Sequence, residues 1–242
     1  MVYQAEPSAV AIFATFPNIP QDLVKFVRFC LQRNHHNRLT HLLLKNPIAF
    51  SETLDKFFSD LSRLTGLTPD VILRTTGFNF RDTDPTRIEA AIAELRCIFF
   101  LDEEGFVDIS PLQSKGTKEA DFTAQRGAMR YAIEVANSIY DAKRHASPDQ
   151  LKDWLIGRYY DDEKAAQLKA TADALSCQRR VLIGVVNTKA AIAFNVHPDF
   201  CTAAHAAWVE AKSDPELHIW FVTGTGEPFE YGRDDCVYPE WP

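Results

Sequence analysis

The sequence predicts an α/β fold, and three observations carry the prediction. After Gly105 the apolar residues stop recurring at a period near 3.6 and begin to alternate at a period near 2, the change from helix to strand patterning. Residues 179–187, Arg-Arg-Val-Leu-Ile-Gly-Val-Val-Asn, form a nearly unbroken apolar run of strand length, which is how a central parallel strand covered on both faces reads. From Pro85 onward the elements come in the order helix, three strands, helix, strand, helix, strand.

Taken along the chain, residues 9–16 are apolar and closed by Pro17 and Pro20, too short to assign by periodicity. Residues 21–33 follow as a helix entered through Pro20, Gln21 and Asp22, with Leu23, Val24, Phe26, Val27, Phe29, Cys30 and Leu31 at helical spacing. A second helix is expected over 39–45. A third, over 51–65, takes Ser51 as its N-cap, lines one face with Leu54, Phe57, Phe58, Leu61 and Leu64, and stops at Gly66. The stretch 77–85, Gly-Phe-Asn-Phe-Arg-Asp-Thr-Asp-Pro, is the expected junction between a helical N-terminal region, 1–80, and a second domain, 81–242.

That second domain opens on a well-signalled helix, with Asp84 as N-cap, Pro85 in the first turn and Ile88, Ile92, Leu95 and Phe99 on its apolar side, ending at 102–105. Strands are expected over 106–112, 119–125 and 130–137, with Lys115-Gly-Thr and Arg126-Gly as turns. A looser polar region containing Ser147-Pro-Asp comes next. A helix over 161–175 presents Ala165, Leu168, Ala172 and Leu175, and a helix over 200–212 and a strand over 217–223 precede a Pro-, Gly- and Asp-rich tail.

A chain of 242 residues with 46% hydrophobic content can bury a sizeable core. No run of about eighteen uninterrupted apolar residues is present, and the first residues lack a basic n-region, so the expected address is the cytoplasm. Five cysteines without Cys-x-x-Cys spacing read as reduced thiols rather than a zinc or redox site. A net charge of −7 argues against bulk nucleic-acid binding. One local exception lies between Asp22 and Lys45, where Lys25, Arg28, Arg33 and Arg38, with Lys45 and three histidines, form a candidate nucleic-acid contact or else a solvated helix face.

The chemistry concentrates in two acids. Asp121 and Glu134 stand on the second and third strands of a hairpin, where neighbouring strands lie about 5 Å apart. Such a pair of hard oxygen donors is what a divalent cation requires. Glu134 sits within Tyr131-Ala-Ile-Glu-Val, a strand expected to be buried, where an isolated carboxylate costs several kcal/mol or protonates; a cation removes that cost. Glu94 borders the apolar stripe of the preceding helix, as Glu89 does on the other side. A site with few carboxylates leaves room on Mg²⁺ for water and phosphate oxygens, the arrangement phosphodiester hydrolysis needs. The structural alternatives are a turn-flanking surface role for Asp121 and an edge-strand ion pair of Glu134 with Arg130 or Lys143.

A helix bearing Glu94, the Gly105-Phe-x-x-Ile strand, Asp121 near a strand end, an apolar strand with Glu134, a helix with Gln167 and lysines, and a further apolar strand together resemble the PD-(D/E)xK, restriction-endonuclease-like nucleases over residues 85–187. The spacing is similar to that of archaeal Holliday-junction resolvases. The resemblance implies a restriction-endonuclease-like mixed sheet flanked by helices, Mg²⁺ or Mn²⁺ as cofactor, and DNA as substrate, with RNA the other candidate polymer. It also implies a homodimer or larger assembly, and metal ligation by Glu94, Asp121, Glu134 and the Val135 carbonyl. The lysine of the family falls at position 136, where this chain has Ala136. Three readings follow: an inactive Lys-to-Ala form, a lysine moved to the next helix beside Gln167 (Lys164 or Lys169), or a relative that binds nucleic acid or a protein partner without cutting. The expected activity is that of a Mg²⁺-dependent endodeoxyribonuclease. Asn34-His-His-Asn reads as a helix-connecting loop, Gly224-Thr-Gly226 as a turn, and His197 and His205 as structural.

Overall fold

A computed structural model describes residues 5–35, 37–112, 120–140, 147–160, 163–188, 200–211, 214, 216–223 and 235–242. The chain forms two compact units, Met1–Ile98 and Phe99–Pro242.

The first unit is helical. The run that periodicity left open is helix α1, Ala5–Phe13, which buries Ala9, Val10 and Phe13; the Phe13 ring lies parallel to Phe50 at 6.4 Å. Helix α2, Gln21–Gln32, starts behind the extended Pro20 and buries Leu23, Val24, Phe26, Val27, Cys30 and Leu31. Asn37 opens α3, Arg38–Lys45, with a capping box shared with Thr40. The loop reading of Asn34-His-His-Asn fits this placement between two helices, although His36 lies outside the described residues.

Helix α4 runs Pro47–Thr65, four residues longer at its start than expected. Ser51 is therefore not its cap: it is buried inside the helix, donating to the Pro47 carbonyl at 2.6 Å. Asn46 caps instead, accepting from the Ala49 N–H at 3.3 Å, because Pro47 suits the first helical position. Gly66 ends the helix at φ 70°, a conformation that favours glycine. A helix not expected from periodicity, α5 (Pro69–Thr75), follows, and α6 (Pro85–Glu103) begins and ends where its Pro and Gly signals place it, the division between the units falling within it.

The second unit is α/β around a six-stranded mixed sheet. Strands β1 (Val107–Pro111), β2 (Phe122–Arg126) and β3 (Met129–Tyr140) form an antiparallel meander. Strand β3 then pairs in parallel with β4 (Arg179–Thr188), β4 in parallel with β5 (Leu217–Thr223), and β5 antiparallel with β6 (Asp235–Tyr238). Strand β6 lies in the Pro-, Gly- and Asp-rich tail, where no element is expected, and the looser polar region also holds regular structure. Ser147 caps α7, Pro148–Leu155, accepting from Gln150 N–H at 3.3 Å; a π-helical turn, Ile156–Tyr160, and helix α8, Glu163–Ala174, come after it. Helix α9 is Phe200–Ala211.

Alternation along the strands sorts the sheet into two faces. On one, Tyr131, His218 and Trp220 meet Phe100, Phe106 and Trp241 in an aromatic cluster, with the Arg126 guanidinium 5.5 Å from the Trp241 ring centre. On the other, Ala132, Ala136, Leu182, Ile219 and Phe221 pack with Leu151, Leu155, Tyr159, Leu168, Ala172 and the Phe200 side of α9. Each large apolar side chain buried here contributes about 1.5–3 kcal/mol. Glu134 shares this second face.

Candidate metal site

The β2–β3 hairpin turns at Gly127, φ 58°, and its register runs from Arg126↔Met129 to Phe122↔Ile133. One step beyond that last pair, the next residues outward on the two strands are Asp121 and Glu134. Asp121 leaves the regular ladder and ties three strands together. Its N–H donates to the Ile133 carbonyl at 2.9 Å, its carbonyl accepts from Leu112 N–H at 2.8 Å, and its Oδ2 accepts from Val135 N–H at 2.7 Å. The carboxylate thus takes the next backbone donor on the β3 edge. Because a strand residue presents its N–H and C=O to the same neighbour, the Val135 carbonyl lies on that same edge.

Glu134 is 8% exposed, in register with Leu182 of β4. Strand β3 lies between β2 and β4, so the edge-strand reading of Glu134 is corrected; Lys143, its suggested partner, lies outside the described residues. Two carboxylates and one carbonyl, the first acid at the start of β2 and the others in the middle of β3, are the donor types of a hard cation such as Mg²⁺, which uses one or two carboxylates and keeps several waters. Among the described residues, no group of three or more His, Cys, Asp or Glu side chains could hold a metal ion.

The other expected members lie on helices. Glu94 is half-buried on α6 within the first unit, whereas Asp121 and Glu134 belong to the second. Gln167 is half-buried on α8, where its carbonyl accepts from Thr171 Oγ1 at 3.1 Å. Lys169 is exposed, and the Lys164 side chain lies outside the described residues.

Ala136 stands two residues from Glu134 on the same face, where the lysine of a Glu-x-Lys pattern would stand, and it is 2% exposed. It pairs with Gly184 of β4, whose missing side chain is replaced by neighbours: a Cβ there would lie 2.8 Å from Phe221 Cδ1 and 3.0 Å from Tyr159 Cε1 and Cζ. Tyr159 packs edge-on to Phe221 at 4.9 Å. Position 136 therefore belongs to a close-packed apolar cluster in which Tyr159 covers its partner Gly184. Sequence reasoning missed Tyr159, though an isolated glycine in a strand is itself a signal of close approach.

In the first unit Lys25, Arg28, Arg33 and Arg38 are exposed. Lys25 pairs with Asp22 at 2.8 Å and Arg33 covers the Phe29 ring at 4.4 Å. Among the described residues no helix is long and apolar enough to cross a membrane. Gly224-Thr-Gly226 and His197 lie outside the described residues; His205 packs on Trp208 and Tyr238. Comparison with protein-family models, curated proteins and solved structures returned no match.

Proposed function

We propose that this chain is a cytoplasmic, divalent-metal-dependent nuclease of the PD-(D/E)xK, restriction-endonuclease-like type, hydrolysing DNA phosphodiester bonds. The observation that carries the reading is the bond from Val135 N–H to Asp121 Oδ2, which locks one acid beside the strand that bears the other. The order helix, antiparallel meander, helices, parallel strand in residues 85–188 supports it. Asp121 is held by three hydrogen bonds to backbone groups, one of them through its carboxylate, and the backbone of Glu134 is held by strands on either side. Their role, with the Val135 carbonyl, is to bind Mg²⁺ or Mn²⁺ and orient it at the end of β2. A cation bound there lowers the pKa of a coordinated water and neutralises the leaving oxyanion.

The burial of Ala136, paired with the Gly184 that Tyr159 covers, favours a second reading, a metal- or nucleic-acid-binding module that does not cut, because no cation stands where the motif lysine would. Mn²⁺ titration by calorimetry and nicking of supercoiled plasmid in Mg²⁺ separate the two. Metal binding with nicking, both lost in Asp121→Asn and Glu134→Gln, is the expected result. Asn still accepts from Val135 N–H, so Asp121→Asn tests charge rather than fold. Metal binding without nicking establishes the second reading, and no metal binding removes the site altogether.

A further inference from the structure

The exposed face of α2 carries an arrangement that the carboxylate pair does not use. Lys25, Arg28, Phe29 and Arg33 recur at positions i, i+3, i+4 and i+8, which share one side of a helix. The segment after α5 is laid alongside by the edge-on packing of Phe26 on Phe78 at 5.4 Å and by the Arg74 to Asp22 ion pair at 3.2 Å. It brings Phe80 and Arg81 to the same face. Lys25 Nζ stands 5.7 Å from the centre of the Phe80 ring and Arg81 Cζ 5.3 Å, while Arg33 Cζ lies 4.4 Å over Phe29. The outcome is two half-buried phenyl rings interleaved with five exposed cations, Lys25, Arg28, Arg33, Arg74 and Arg81; the acids nearby are Asp22, which Lys25 and Arg74 share, Asp70, which accepts from Gln21 N–H, and Asp82, next to Arg81 in the chain.

We propose that this stripe binds single-stranded nucleic acid, its phosphates on the cations and its bases stacked on Phe80 and Phe29. Aromatic faces set among Lys and Arg are what a single strand needs, since every base has a π-face and splayed bases can reach the rings. A duplex, whose bases already stack on one another, engages only the cations. An acidic peptide likewise leaves the rings without a partner of matching shape. The stripe lies wholly in the first unit, so it stands or falls apart from the metal site.

Fluorescence anisotropy of the full chain with labelled fifteen-nucleotide oligo-dT and oligo-rU, in EDTA so that no cleavage occurs, tests the proposal. A duplex of equal length and a poly-glutamate peptide serve as competitors. The single strand should bind in preference to both. Phe80→Leu and Phe29→Leu, which keep an apolar side chain for packing, should each weaken binding roughly 5- to 150-fold, the loss of one stacked base. Their salt dependence should not change. Arg28→Gln and Arg33→Gln should each reduce the slope of log K against log salt by about 0.7. Lys56→Gln, which removes an exposed cation of α4 outside the stripe, should bind as the parent does. Equal or better binding of duplex or poly-glutamate, or leucine variants that are folded by circular dichroism yet bind undiminished, overturns it.

Discussion

Replacing Gly184 with alanine tests the packing around the site most directly. In an ordinary strand this change is mildly favourable, because glycine loses more conformational freedom on folding, by about 0.5–1 kcal/mol. Here the added methyl would sit 2.8 Å from Phe221 Cδ1 and 3.0 Å from two atoms of Tyr159. Carbon atoms pack best at about 3.5–4.0 Å, so both rings must retreat by roughly half an ångström or more. Neither is free to do so. Both are fully buried, they lie edge to face at 4.9 Å, and each is backed by another ring, Phe221 by Phe200 at 5.6 Å and Tyr159 by Trp154 at 6.1 Å. Overpacking of such a core costs about 1–3 kcal/mol, so after the backbone gain the net destabilisation is about 0.5–2 kcal/mol. Urea denaturation should show a lowered midpoint at unchanged slope, equivalent to a fall in Tm of a few degrees. Gly157→Ala is the control: nothing lies within 4 Å of its added Cβ, and it should be neutral or stabilising. The Gly184→Ala/Phe221→Leu double variant should recover part of the loss. A Gly184→Ala protein as stable as the parent would refute the close packing around Gly184.

Two further outcomes follow from the same coordinates. Ala136→Lys places a long cationic chain at a position 2% exposed and should destabilise the fold by at least about 2 kcal/mol in urea unfolding, unless bound phosphate or carboxylate compensates. Parent-like stability would show instead that the side chain reaches solvent past Tyr159. His218 gives a pH dependence. Burial chiefly lowers its pKa, the neighbouring Arg179 and Arg126 adding to the effect, while the bond from Nδ1 to the Pro239 carbonyl at 2.9 Å works the other way. The folded chain holds this imidazole neutral, whereas the unfolded chain protonates it near pH 6.5, so stability is complete above that pH and is lost as pH falls toward the lowered folded value. Denaturation at pH 7.5 and 5.5, well above the carboxylate range, should show a drop that is smaller in His218→Phe; an equal drop assigns the dependence elsewhere.

The α/β class, the hairpin carrying the acids and the central strand could be read from the chain because local chemistry specifies them. Pro85 and Gly105 bracket α6, alternation marks the meander, and an unbroken apolar run marks β4. The misses have two causes, competition between local signals and partners that only the tertiary fold supplies. Ser51 and Asn46 both precede apolar helical patterns, and only the fit of Pro47 at the first position chose Asn46. Strand β6 has four residues, which extend only because the edge of β5 offers them partners.

The site divides the same way. That Asp121 and Glu134 belong on adjacent strands follows from their spacing about a turn. That Asp121 leaves the ladder to hold Val135 N–H depends on where β2 ends against β3, and no local pattern states it. Least visible of all is Tyr159. A π-helical turn far along the chain carries its ring over Gly184, and this contact, made only when α7 and the sheet have come together, makes position 136 part of an apolar core. Spacing along the strand says which residue stands there; packing across the sheet decides what that residue can be.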